Sequence, residues 1–407
     1  MTNIGQPNLF YKLLANKYII LSAWVLIAVF YTFKNLGYGS INNYLIFKYT
    51  YFNASMGQNL YANYPQYYFD SNHYGPIFCV IIAPFAVLKG QLGIYLWQVC
   101  NAIFLFIAIR QLPLSNLQKN IICIICTQEL IFSLKEYQTN GAIAGLLILT
   151  WVLVDKKKDF WAALFIMLGL FIKLYGVIGI VFFLLSKQKK QFILGLAVWA
   201  AVFFVLPMLF FSPQFIACSY LDWYHSLVSK NAENLVMTNN NQDISVMGML
   251  RRITALPISI LPVLLTGLAL FGVSNLKNYM AEGMRPRLLM LASCLLFVVL
   301  FSTGSEQCTY IIAFTGIAIW FISAPKPFSK VQITLFVFAL YFGSLFRTDI
   351  FPAYIKTNLI LPYGLKALPC LMVWLAVIKE MLAKKPSPQL ILITTTPDLI
   401  APTHQTI

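Results

Sequence analysis

Long apolar runs, broken by short polar stretches, fill the chain from Tyr18 to Leu382. A hydrocarbon core about 30 Å thick takes roughly 17 to 25 apolar residues per helical crossing. On that measure the pattern predicts apolar helical segments near 18–33, 74–88, 92–109, 120–134, 139–154, 160–172, 174–186, 191–211, 257–274, 287–303, 309–323, 331–346 and 362–382. The expected architecture is an all-α polytopic membrane protein with about 10–13 membrane segments. Residues 1–382 form one transmembrane domain in this reading, and 383–407 form a cytoplasmic tail.

Two polar stretches, 34–73 and 212–256, are too long for simple connections. In the first, Tyr44, Phe47, Tyr51 and Ile41, Leu45, Phe52 recur at helical spacing. In the second, "SPQF" at 212–215 sets Ser212 before a proline at the first helical position. Both are expected to form helices lying at the outer membrane surface. Further on, in "NNNQDISVMGMLRRI" (239–253), Asp243 is placed to cap a helix that ends in Arg251 and Arg252.

Composition agrees with a membrane protein: 59% of residues are hydrophobic and 10% charged, against about a quarter charged in soluble domains. The net charge of +16 collects in short loops such as "DKKKD" (155–159), "KQKK" (187–190) and "APKPFSK" (324–330). That distribution is positive-inside bias, so nucleic acid is not an expected partner. Lys12 and Lys17 precede the first apolar run with no small-residue cleavage site after it, which makes that run a retained span. Lys89 and the 155–159 loop can share one side only if a segment between them fails to cross. The segment 120–134, which carries Glu129, is the expected re-entrant or tilted piece. Cys123 and Cys126 have CxxC spacing, but neither a second pair nor a nearby histidine completes a metal site. No metal and no cofactor is expected.

Chemistry is expected at the outer face. In "NYPQYYFDSNHYGP" (63–76), Asp70 and His73 stand directly ahead of an apolar run, and Glu306 lies at another such entrance. Partial desolvation there would raise a carboxyl toward a useful base. Lys173 falls between two half-length apolar runs, where its ammonium either meets a phosphate or snorkels to the interface. Arg251 and Arg252 offer a second anion clamp. Soluble phosphate loops and nucleophile elbows are missing from the sequence.

The ordered segments "SINNYLIFKYTYFNASMGQNLYANYP" (40–65), "YGPIFCVIIAPFAVL" (74–88), "QTNGAIAGLLILTWVL" (138–153), "KKDFWAALFIMLGLFIKLYGVIGIVFFLL" (157–185) and "QDISVMGMLRR" (242–252) resemble glycosyltransferase family 87. Its members are polyprenol-phosphate-mannose-dependent mannosyltransferases of the GT-C fold. The resemblance implies a multi-pass protein of the cell inner membrane whose partners are the bilayer, a polyprenyl-phosphate sugar donor and a glycan or glycolipid acceptor. It also implies inverting, metal-independent transfer, with an Asp of the first outside loop as general base. Carried over residue by residue, Tyr44 matches the family's Tyr, Asn42 and Asn43 the intervening pair, and Ile41 the apolar residue. Ser40 falls where the Asp belongs. Serine has no useful basicity at neutral pH, so Asp70 becomes the candidate replacement base. Lys173 and Tyr175 match the family's Lys-aromatic pair and bind the lipid phosphate in this reading, with Gly176 where many relatives have proline. Asp243 and Arg251 occupy the polar-then-apolar signature of the later loop, and Glu306 is a candidate partner for sugar hydroxyls. His73 joins the substrate-binding set.

Two other readings stay open at this point. A catalytically impaired relative serving as an assembly partner is favoured by Ser40. A transporter of lipid-linked sugar or solute would also be polytopic and basic inside, although the chain lacks the internal repeats such folds show.

Overall fold

The computed structural model describes residues 9–236 and 241–383. Every regular element among the described residues is helical, with no strand. In chain order the helices are α1 (Leu9–Ala15), α2 (Lys17–Gly37), α3 (Asn42–Ser55), α4 (Phe78–Ala86), α5 (Leu92–Arg110), α6 (Asn116–Lys135), α7 (Asn140–Asp155) and α8 (Asp159–Lys173). They continue with α9 (Lys189–Val205), α10 (Pro213–Asn234), α11 (Val246–Thr254), α12 (Ile260–Asn278), α13 (Met284–Leu300), α14 (Tyr310–Ile322) and α15 (Lys330–Phe338). A bent pair, Ala353–Tyr363 and Ala367–Leu382, meets at 68°.

Six helices among the described residues are long and apolar enough to cross a membrane, or seven if the bent pair is one span. The protein is an all-α polytopic membrane protein. Helices α7, α13 and α14 are shorter but buried nearly all round, as expected of helices enclosed by other helices. Trp151, Trp320 and Trp374 fill the space between them.

Side-chain bonds to backbone carbonyls identify the two ends of the bundle. Asn35 of α2 donates to Lys135 O at 2.8 Å, and Trp97, early in α5, donates to Tyr137 O at 3.0 Å. The end of α2, the start of α5 and the end of α6 therefore lie together. At the opposite end Arg287 pairs with Asp155 at 2.7 Å, and Gln118 donates to Ile322 O at 3.2 Å.

These ends correct the expected crossing pattern. Segment 120–134 is not re-entrant, because it lies inside α6, a continuous helix of 20 residues opened by a Ser115–Gln118 capping box. Glu129 does not interrupt the helix, since the Lys366 ammonium meets it at 2.8 Å. The piece that fails to cross is 74–88. Its helix α4 has 9 residues with Pro84 inside, about 13 Å of rise against a core of about 30 Å. Lys89 therefore belongs to the same end as Glu136.

The two half-length runs on either side of Lys173 form a hairpin with arms of unequal residue number. Helix α8 has 15 residues, and the return Tyr175–Leu185 is a 3₁₀ helix of 11. At about 1.5 and 2.0 Å rise per residue the two arms span nearly the same length, about 22 Å. The corner, Leu174, has φ +21°. Gly176 packs so closely on α8 that a Cβ would stand 2.4 Å from Leu170 N. Gly176→Ala is expected to cost about 1–3 kcal/mol through overpacking, read as a lower thermal midpoint in detergent. An unchanged midpoint would mean that the arm shifts freely.

Helices also occupy both polar stretches, as α3 and α10. Ser212 precedes Pro213 at the start of α10 but makes no side-chain cap bond. The cap of α11 is corrected: Ser245, not Asp243, accepts from Gly248 N. Asp243 instead accepts from the Ser245 hydroxyl at 2.5 Å and pairs with Arg251. The expected tail, 383–407, lies outside the described residues apart from Ala383.

Candidate active site

The end of the bundle that holds Glu136 carries two cavities sharing one wall. The inner cavity, about 360 Å³, is lined by Asn43, Asp70, His73, Glu136, Lys230, Glu306 and Arg347, among others. The outer cavity, about 720 Å³, lies between the 59–73 loop and α10. Asp70, Ser71 and His73 line both.

Helix α3 hangs this region together. Asn42 makes two bonds to Phe69, donating to its carbonyl and accepting from its amide, each at 2.8 Å. Its neighbour Asn43 donates to Glu136 O at 2.8 Å. Both loops that carry acids are thereby fixed to the first turn of one helix. After His73, Gly75 N donates to Ile172 O at 3.3 Å, and a Cβ on Gly75 would lie 2.1 Å from Phe171 O. Only glycine lets this loop lie against the end of α8, next to Lys173.

Asp70 adopts φ +73°, a left-handed conformation that costs a non-glycine residue energy and recurs at functional sites. Its Oδ1 accepts from Ser71 N at 2.8 Å, Lys230 Nζ approaches Oδ2 to 3.1 Å, and His73 Nε2 lies 3.7 Å from Oδ1. Partial burial pushes this carboxyl up, but His73, the Lys230 ammonium and the Ser71 amide together hold it well below the ordinary carboxylate range. The expected upward shift is therefore absent, and Asp70 stays ionised. Lys230 also bonds Glu233 at 3.2 Å; burial works against its charge, yet the two carboxylates raise it.

His73 is held from behind. Trp223 Nε1 donates to His73 O at 3.0 Å, and Nδ1 meets Ser226 Oγ at 2.7 Å. Ser226 Oγ donates its one hydroxyl proton to Asn72 O at 3.1 Å. The Ser226 oxygen therefore accepts from His73 Nδ1–H, and Nε2 is the ring nitrogen that faces the Asp70 carboxylate. That Nε2 is buried without a hydrogen-bond partner.

Glu136 and Glu306 also line the inner cavity, near enough for their charges to interact. Burial, and then the Glu306 charge, push the Glu136 carboxyl up. Glu306 accepts from Cys308 Sγ at 3.5 Å and caps the turn at Gln307. Lys173 lies one layer back: its Nζ donates to Asn140 Oδ1 at 3.1 Å and sits 5.9 Å from the ring centre of Tyr74, which lines the cavity. Tyr175, 5.3 Å from the same ammonium, donates to Gly304 O at 3.2 Å.

Asp70, His73, Asn43 and Glu306 thus meet in one cavity, with Lys173 and Tyr175 behind it. Asn42 acts through Phe69, and Tyr44 is buried with its hydroxyl on Phe85 O at 3.2 Å. Ser40 is exposed and lines neither cavity. The Arg251 guanidinium is engaged by Asp243, whose carboxyl burial pushes up to about 6 despite Ser245 and Arg251. Arg252 donates to Asp243 O and Gln242 O. These three brace the strip Asn241–Gln242 that lines the inner cavity.

Sequence reasoning missed Glu136, Lys230 and Arg347 as members of the site. The one local signal was Glu136, the residue that closes α6. Arg347 also reaches Asn241 at 3.4 Å.

Compared with known families, residues 72–303 match the model of Glycosyltransferase family 87, more than half of the chain. No curated protein matches.

Proposed function

Because the chain belongs to glycosyltransferase family 87 and is a membrane glycosyltransferase, we propose that it moves a sugar, mannose by the family resemblance, from a polyprenyl-phosphate donor to an acceptor hydroxyl. The reaction takes place at the outer face of the inner membrane in this reading, because the basic loops, among them "DKKKD" and "KQKK", gather at the end away from the cavities. The observation that carries it is the inner cavity itself, where three carboxylates, Lys230 and Arg347 converge in front of Lys173.

The acceptor oxygen bonds to the anomeric carbon as the bond from that carbon to the phosphate oxygen breaks. The electron pair leaves with the phosphate, whose charge faces Arg347, Lys230 and Lys173; side-chain cations serve the leaving group. Attack from the opposite face inverts the anomeric centre. The acceptor proton passes to Asp70, which His73 Nε2 faces at 3.7 Å. Glu136 and Glu306 accept hydrogen bonds from sugar hydroxyls.

Proteoliposomes holding the full chain, radiolabelled polyprenol-phosphate mannose and extracted membrane acceptors test this reading; no transfer from this or other lipid-linked sugars would sink it. A pH prediction follows. A carboxyl raised by burial is neutral below its raised value, so its accepting capacity fades as pH falls through that value. The acid limb of kcat/KM is expected above the ordinary glutamate value of about 4.5, and Glu136→Gln is expected to remove it. Should the limb persist in the variant, Glu136 is not the titrating group.

The assembly-partner reading retains one observation in its favour, Ser40 at the family's base position. Transfer by the native chain would end it.

A further inference from the structure

The two cavities differ in charge. Lys230 and Arg347 line the inner one, whereas the outer one has neither Lys nor Arg in its lining and presents the carboxylates of Asp70, Asp222 and Glu233. The same lining includes Asn59, Asn63 and Ser226, and one ring, Phe69, that is 77% exposed. An aromatic ring of that size left in water beside hydrogen-bonding groups is a platform without a partner. The volume, about 720 Å³, falls in the range of sites that enclose small ligands, about 300–1,000 Å³.

We propose that the outer cavity is the acceptor subsite and that it takes an uncharged, hydroxyl-rich glycan, a reading that rests on the glycosyl transfer proposed above. Sugar hydroxyls are donors for carboxylates and amide oxygens, and the C–H face of a pyranose lies on the negative face of the Phe69 ring. An anionic acceptor would meet Asp222, which has no ion pair among the described residues, and Asp70 and Glu233, which share the single Lys230 ammonium behind the lining. Phosphate is thereby directed to the inner cavity and the neutral acceptor to the outer one. The shared wall then fixes where they meet, because a hydroxyl extending from the outer cavity enters the inner one between Asp70 and His73. Asp222 Oδ2 already accepts from the Asn59 amide at 3.0 Å, which ties the loop to α10 across the cavity and leaves its other oxygen for a ligand.

The test is saturation-transfer NMR on the full chain in nanodiscs, with three probes: free mannotetraose, the same tetrasaccharide on a dialkyl anchor, and tetragalacturonate. Saturable binding of a neutral probe, weakened about fivefold by Phe69→Ala, with no binding of tetragalacturonate, is the expected result. Binding of both neutral forms identifies a free glycan end as the source of the acceptor, and binding of the anchored form alone identifies a glycolipid headgroup. Asp222→Lys is expected to admit tetragalacturonate. The inference is overturned if neither neutral probe binds, if tetragalacturonate binds the native chain equally well, or if Phe69→Ala changes nothing. Should that happen while proteoliposomes still transfer sugar, the subsite alone fails. Binding without any transfer would instead remove the enzymatic reading and leave a glycan site.

Discussion

Asp70→Asn is expected to lower kcat for sugar transfer by about 10²–10⁴-fold, the usual contribution of a positioned base, with little change in KM for the donor. The amide keeps the shape of the carboxylate and its bond from Ser71, but it cannot take a proton. Asp70 is held below the ordinary carboxylate range by His73, Lys230 and Ser71, so it is a weak resting place for a proton and a permanently ionised one. The same three neighbours fix the direction in which its oxygens meet an acceptor hydroxyl. His73→Gln should therefore cost activity as well, and Ser226→Ala, which releases the ring without removing it, should reproduce part of that loss. Full activity in Asp70→Asn would reject the assignment and leave Glu136 or Glu306 as the base.

Lys366→Met is expected to destabilise the fold by about 3–5 kcal/mol, because it strands the partner of a buried ion pair. Lys366 and Glu129 are both 0% exposed, and the ammonium meets the carboxylate at 2.8 Å. Around it lie the rings of Tyr310, Phe132 and Phe346 at 4.5, 5.3 and 5.7 Å from their centres. The double variant Glu129→Gln with Lys366→Met should recover most of the loss, since two neutral groups need no compensation. Denaturation midpoints in detergent measure both. Lys366 also donates to Gln307 O at 3.3 Å, and Gln307 lines the inner cavity beside Glu306. Reduced transfer in a well-folded double variant would show that the pair positions Glu306 as well as stabilising the bundle.

How much of this was legible in the chain depended on whether the deciding contact was local. Apolar runs marked nearly every helix, because burial in hydrocarbon or among helices needs the same side chains. They misled at 74–88, which is as apolar as any crossing segment. There the decision lies in the short length of α4 and in the contacts that place the start of α5 beside Tyr137. Glu129 read as a reason for a re-entrant or tilted piece because its partner stands 237 positions away. Asp70, His73 and Glu306 were legible as polar residues at the mouths of apolar runs. Lys230 was not, since nothing near it in sequence reports that it will meet Asp70, 160 positions away. The cap at Ser245 failed for the opposite reason: Asp243 and Ser245 are both good caps two residues apart, and Arg251 decided between them.

Asn42 and Asn43 stand side by side on the first turn of α3, one bonded to the Asp70 loop and the other to the Glu136 corner. The two acids are in effect suspended from a single rod. A tilt of α3 carries both of them in the same direction, so the gap between them is conserved while its position relative to Lys173 and Arg347 changes. A change in the first turn of α3 would thus move the whole acidic frame over the cations without prising it open.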